Sequence, residues 1–330
     1  MKVLVTGGAG YVGSVITAGL LAAGHDVTVY DDLSRGHRAA VAPGARLVVA
    51  DIRDTGRLTE ALTTGGCEAI VHMAALAEVA ESVAFPQRYH DVNVGGTRSV
   101  LEAAGSAGVT RLVFSSTAAV YGAPETLPID EGSPLAPANP YGETKLAAER
   151  LLFGAAAGGD RLAVVALRYF NAAGADGPRG EDHAPESHLV PLALKAARDG
   201  TAQKVFGDDY PTPDGTCVRD YVHVRDLAEA HIAALEGLPQ TAGAFNLGTG
   251  SGSSVLEVLR AVDAATARST SVERAGRRAG DPPVLVASND RARRILGWQP
   301  RRPLDGIVDD AWMWLRDHPR GYDDRTDADR

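Results

Sequence analysis

An alternation constrains this chain most. Five short β-branched, apolar runs each stop at small or polar residues, and helical stretches of suitable length separate most of them. The runs are Leu4-Val5, Val27–Tyr30, Arg46–Ala50, Ala69–His72 and Arg111–Phe114. Strands of this kind, joined through helices, imply a parallel sheet with helices on both faces. In such open sheets ligands bind at the carboxyl ends of the strands. Those ends read Gly7-Gly8, Asp31-Asp32, Asp51, Met73-Ala74-Ala75 and Ser115-Ser116-Thr117. A helix from about Pro140 to Ala156 and a strand Arg161–Tyr169 continue the pattern. From Ala172 to Ser187 the chain is rich in Gly, Pro and charge. The remainder mixes short helices and strands, including Ser253–Val262 and a final helix Leu304–Asp317.

Size and charge narrow the classes. The 330 residues suit about two domains at roughly 150 residues each. With a net charge of −9 the chain is a poor general nucleic-acid binder, and no nucleic-acid partner is expected. Cys67 and Cys217 stand in no Cys-x-x-Cys or Cys/His pattern, so neither a disulfide framework nor a metal is expected. The apolar run at the start is too short for a signal peptide, and no run of about 18 apolar residues occurs. A cytoplasmic protein without a membrane partner is expected. The tail Gly321–Arg330, with Asp323, Asp324, Asp327 and Asp329, is expected to fray.

Gly7-x-x-Gly10-x-x-Gly13 lies between the first strand and a helix. Glycines there permit a tight turn and bring bare amides to a helix N-terminus, where a pyrophosphate is favoured. A plain strand–helix turn has the same look; the carboxylate further on adds the functional reading. Asp31 ends the second strand 18 residues after Gly13, placed to accept hydrogen bonds from ribose hydroxyls. It would repel a 2′-phosphate, so NAD is expected over NADP. Arg35 is read as a surface cation. Asp51 and Ile52 suit the edge and face of an adenine. The expected fold is therefore α/β: a doubly wound parallel Rossmann sheet over 1–171 and a smaller mixed α/β substrate domain over 172–330, with segments able to cross that boundary.

A second constellation follows. Asn139 caps a helix that opens with Pro140. Tyr141 and Lys145 sit at i and i+4 on one face. An ammonium beside a phenol favours the phenolate, lowering its pKa from ~10. Ordinary amphipathic helices also begin this way. The strand-end hydroxyls Ser115-Ser116-Thr117 would meet a substrate oxygen beside the tyrosine.

With these residues in place the chain resembles the extended short-chain dehydrogenase/reductase family and, within it, the UDP-galactose (UDP-glucose) 4-epimerases. The resemblance spans nearly the whole chain. It rests on Thr6–Ser14, Glu81-Ser82, Asn93-x-x-Gly96-Thr97, Val120-Tyr121-Gly122, Asn139–Gly142 and Leu167–Asn171. Later it rests on Asp209–Val224, Phe245–Gly250 and Arg277-Arg278-x-Gly280-Asp281. It implies that Tyr141 is the acid/base, that Lys145 holds it and the nicotinamide ribose, and that Thr117 binds the reacting hydroxyl. Gly7, Gly10, Tyr11, Val12, Gly13, Asp31, Asp32, Asp51, Ile52, Met73, Ala74, Ala75, Asn93 and Phe170 would bind NAD. Asn171, His188, Leu189, Phe206, Arg219, Arg278, Asp281 and Leu285 would line a UDP-sugar, with the arginines on its diphosphate. A homodimer is implied by the same resemblance. Two positions depart from it: the family often has Lys where Ala77 stands, and Tyr or Cys facing the sugar where Leu285 stands.

Three other readings compete. A sugar-nucleotide dehydratase or decarboxylase needs an acid beside Thr117, and Ala118-Ala119 follow it. A reductase would use exchangeable NAD(P). A non-catalytic dinucleotide sensor would often lose the Tyr or the Lys, and this chain keeps both.

Overall fold

The computed structural model describes residues 1–159, 161–278 and 281–322. Six strands run in chain order: β1 (Lys2–Thr6), β2 (Asp26–Asp31), β3 (Arg46–Val49), β4 (Ala69–His72), β5 (Arg111–Thr117) and β6 (Ala163–Tyr169). With the strand Gly243–Leu247 they form one seven-stranded parallel sheet. Its order is Gly243–Leu247, β6, β5, β4, β1, β2, β3. The order reverses between β1 and β4, and a crevice opens there at the strand ends. This is the expected doubly wound fold.

The period of two in each strand divides its side chains between two cores. Val3, Val5, Val27, Val29, Val71 and Val113 point to one face. They pack against α1 (Tyr11–Ala22) and the helix Val224–Gly237, through Ile16, Leu20, Leu227 and Leu235. Leu4, Tyr30, Ile70, Leu112 and Phe114 point to the other face. There they meet α2 (Thr55–Gly65), the helix Gly96–Ala107 and the helix Pro140–Ala157. A third core joins the helices Leu189–Asp199, Val255–Thr266 and Leu304–Asp317 through Leu194, Val258, Val262, Ile307 and Trp314.

Residues 224–247 lie beyond position 171 in sequence, yet they supply a covering helix and an edge strand to the main sheet. The strand expected from Arg161 begins at Ala163. Of the expected frayed tail, Gly321 and Tyr322 are packed. Tyr322 is buried, its ring stacks on His37 at 4.6 Å, and its hydroxyl accepts from the Gly180 amide at 3.1 Å. Residues 323–330 lie outside the described residues, as does Gly280 of the Arg277–Asp281 motif.

Candidate active site

A cavity of about 840 Å³ opens along the carboxyl ends of β1, β4, β5 and β6, with segments of the second half of the chain completing its wall. Gly7 holds φ +69°, and a Cβ there would lie 2.6 Å from the Ala74 nitrogen. A Cβ on Gly13 would lie 2.1 Å from the Gly7 carbonyl oxygen. Both positions therefore exclude side chains, and α1 starts hard against the end of β1. Gly10 caps α1 with no side-chain bond, leaving its first amides for an anion. Tyr11, Val12, Ile52, Met73, Ala74, Ala75 and Phe170 stand on the same wall.

Asp31, 8% exposed, accepts from the Ala9 amide at 3.0 Å and the Leu33 amide at 2.9 Å. Burial raises its pKa and the two amides oppose that. Asp32 is also on the wall and accepts from the amide and hydroxyl of Ser34. The Arg35 guanidinium meets Glu81 at 2.8 and 3.0 Å, so its charge is engaged away from Asp31.

Three expected cofactor residues are off the wall: Asp51, Asn93 and, behind Tyr141, Lys145. Asp51 forms an ion pair with Arg53 at 2.5 Å, which holds its carboxyl below the usual range. Asn93 is buried behind the loop after β4. Its oxygen accepts from the Leu76 amide at 2.8 Å, and its nitrogen donates to the Leu76 carbonyl and the Thr144 hydroxyl, each at 3.0 Å. Its amide staples that loop to the Pro140–Ala157 helix.

The reacting end follows from how this helix begins. Asn139 Oδ1 accepts from the Gly142 amide at 2.9 Å, and Pro140 opens the first turn. A Cβ on Gly142 would lie 2.6 Å from the Ala119 carbonyl oxygen, so glycine lets the helix start against the turn after β5. That puts Tyr141 on the cavity wall beside Thr117, whose side chain works to lower the phenol's pKa. Two turns on, Glu149 anchors the helix to β6 through Arg168 at 3.0 and 2.7 Å, and the Ser116 hydroxyl donates to Glu149 at 2.5 Å. Ser116 lines the wall but is committed to a structural bond, which leaves Thr117 as the strand-end hydroxyl beside Tyr141.

The electrostatics differ from the sequence expectation. Burial pushes Tyr141 up to about 12, against the lowering effect of Thr117. Burial pushes Lys145 down to about 7; its ammonium lies 4.3 Å from the centre of the Phe114 ring, off the cavity wall. Neither group figures in the other's shift. Sharing a helix face does not depress the phenol in the protein alone; burial sets the direction of both shifts.

All the expected substrate residues are on the wall: Asn171, His188, Leu189, Phe206, Arg219, Arg278, Asp281 and Leu285. Arg219 pairs with Asp281 and donates to the Val218 carbonyl at 2.7 Å. Arg278 lies 4.1 Å over the Phe206 ring. Leu285 is half-buried against the core around Val120, Ile129 and Phe170. Ala77 lines the cavity and brings no charge.

The motif reading missed Tyr169, which ends β6 as Thr117 ends β5. Its hydroxyl meets His231 Nε2, and burial drives its pKa far up. The strand-end rule that singled out Thr117 also points to Tyr169. Glu181 and His183, also on the wall, come from the charged segment after Ala172 and carry no recognisable spacing.

A glycine turn at a helix start with no side-chain cap, an acidic residue at the end of β2, and Thr117 and Tyr141 beside the end of β5 define a dinucleotide-dependent enzyme of the Rossmann class. Residues 3–248 match the model of the NAD dependent epimerase/dehydratase family, and the chain belongs to that family. It is 49% identical to the UDP-glucose 4-epimerase of Lacticaseibacillus casei, over 99% of this chain and 100% of that one. It is 50% identical to the UDP-glucose 4-epimerase of Streptomyces lividans, over 98% and 99%. Among solved structures, UDP-glucose-4-epimerase from Stenotrophomonas maltophila, with bound NAD and formylated UDP-arabinopyranose, superposes with a TM-score of 0.94 at 41% identity, covering 97% of this chain and 99% of that one.

Proposed function

We propose that this chain interconverts UDP-galactose and UDP-glucose by epimerisation at C4, with NAD as its resident cofactor. The observation that carries the reading is that Tyr141 and Thr117 line one cavity with the glycine turn and the Arg219/Arg278 wall. The bare-backbone cradle at Gly7 and Gly13 fits a pyrophosphate, and Asp31 fits an adenosine ribose without a 2′-phosphate. NAD, when bound, supplies the acceptor and later the donor of the C4 hydride. Tyr141 takes the proton of the 4-hydroxyl and gives it back, and Thr117 orients that oxygen. Lys145 sits behind the tyrosine, where protonation would favour the phenolate. Arg219 and Arg278 hold the diphosphate, Arg219 exchanging part of its bond to Asp281 for a phosphate oxygen. Leu285 offers the hexose an apolar side without a hydrogen bond, which suits a 4-keto sugar that must turn over.

We read residues 1–171, joined by 224–247, as the NAD half and the rest of 172–330 as the UDP-sugar half. The working unit is proposed to be a cytoplasmic homodimer; Cys67 and Cys217 are buried, unpaired thiols, as suits a reducing compartment. Among the described residues no helix is long and apolar enough to cross a membrane.

The test is to incubate purified protein with UDP-galactose without added NAD and follow the anomeric protons by NMR. Growth of the UDP-glucose signal to a fixed ratio is expected. A dehydrated product, or turnover only with added NAD(P), refutes the reading. Leu285 also supports a second activity on UDP-N-acetylgalactosamine, because it is shorter than the tyrosine that would fill the space of an N-acetyl group.

A further inference from the structure

At the cavity wall, which Glu181, His183 and His188 line, stands a group of side chains that, apart from His188, the proposed epimerisation leaves unused. Glu181, His183, Glu186 and His188 precede the Leu189–Asp199 helix, and one ligand-type atom from each lies within 4.8 Å of the others. We propose that these four side chains bind a first-row divalent metal ion of the zinc class, which fastens residues 181–188 across the cavity.

Three features support this. The first is fit. A tetrahedral ion with ligand bonds of about 2.0–2.2 Å sets its ligand atoms roughly 3.5 Å apart. Moving in from within 4.8 Å is a matter of side-chain torsions.

The second is an orphaned carboxylate oxygen. The Glu186 side chain is 5% exposed, and its Oε1 accepts from the Ser187 amide at 2.8 Å and the His188 amide at 3.0 Å. Its Oε2 is buried with no hydrogen-bond partner. A buried carboxylate oxygen left without a partner is costly unless a positive charge meets it. The Glu181 side chain is 7% exposed, and His188 Nδ1 and His183 Nδ1 both reach its Oε1, the latter at 3.3 Å. A divalent ion would replace this crowding of two imidazoles on one oxygen with four separate bonds.

The third is the donor set and its support. Two imidazoles with two carboxylates suit zinc, cobalt, nickel or manganese better than magnesium or calcium. The two amides on Glu186 Oε1 orient that carboxylate as outer partners of metal ligands do. The stretch is also tied to the cofactor half: the Ser187 hydroxyl donates to Glu78 at 2.5 Å, and the His183 ring lies edge-on to Tyr11 of α1 at 6.2 Å.

The experiment uses tag-free protein, with its bound cofactor, stripped of metal by a chelator. Zinc is titrated by calorimetry and cobalt by visible absorbance. One ion per chain is expected, with micromolar or tighter affinity and an intense tetrahedral cobalt spectrum. Glu186→Gln and His183→Ala should each weaken binding at least tenfold, with melting curves in chelator showing that both variants fold. Absence of saturable binding overturns the proposal. So does one-to-one binding that both variants retain within threefold, since the ion would then sit elsewhere.

Discussion

Replacing Tyr141 with phenylalanine removes one hydroxyl from the centre of the site. The structural cost is small. Thr117, beside Tyr141 on the cavity wall, keeps the bond from the Ala119 amide to its Oγ1 at 3.1 Å. Losing one hydroxyl contact of this kind costs about 1 kcal/mol, while the half-buried ring stays in place. The chemical cost is larger. Loss of a positioned acid/base lowers turnover by roughly 10²–10⁴-fold, or about 2.7–5.4 kcal/mol at 1.36 kcal/mol per decade. The pH profile carries a second signature. Held near 12 by burial, the phenol needs about 7 kcal/mol, five units at 1.36 each, to ionise at pH 7. Positive charge in the assembled site must offset most of that. Below the phenol pKa of the complex, kcat should rise tenfold per pH unit, and the Phe variant should lose this slope. NMR turnover assays from pH 5.5 to 9, with melting curves alongside, measure both. A variant within threefold of the parent, or one with the same pH slope, refutes the assignment of Tyr141 as proton shuttle.

Three further outcomes follow from the same geometry. Denaturing the purified protein should release NAD⁺ or NADH near one per chain; NADP in its place would show that Asp31 does not govern the ribose site. Leu285→Tyr should lower activity on the N-acetylated pair more than on UDP-galactose, by a margin of the ~1–3 kcal/mol typical of one apolar contact, and equal losses in both kcat/KM values would remove Leu285 from sugar selection. Burial lowers His72 to about 3 and His231 to about 4, so between pH 6.5 and 5.5 the unfolded chain takes up protons that the native one refuses. Stability should then fall toward acid by up to about 2.7 kcal/mol per pH unit for the two together, and denaturant titrations showing flat or rising stability over that window would contradict it.

The central sheet was readable because each strand is a short apolar run with a small or polar stop. The glycine turn and the Asn139–Lys145 helix start were readable because cap, proline and glycine each have one local role. The strand Gly243–Leu247 escaped that rule. It holds Asn246, which is polar yet fully buried, bonded to the Tyr121 hydroxyl at 2.7 Å and the Ile129 carbonyl at 2.9 Å. Its place in the main sheet depends on those distant partners. Lys145 shows another limit: helix spacing put it beside Tyr141, but the direction of both shifts is set by burial, which spacing does not report. Asp51 and Asn93 were placed by strand end and motif, while their hydrogen bonds are set by Arg53, Leu76 and Thr144. The 181–188 cluster was invisible because His-x-x-Glu-x-His in a loop has no helical or strand register to bring its side chains together.

The central claim is that hydrogen leaves C4 and returns to it within one site. UDP-galactose deuterated at C4 tests this directly, incubated in ordinary water with the purified protein and no added cofactor. The account predicts UDP-glucose that retains deuterium at C4 in nearly every molecule, because the hydride is held and returned without meeting solvent. UDP-glucose that carries protium at C4 would contradict it.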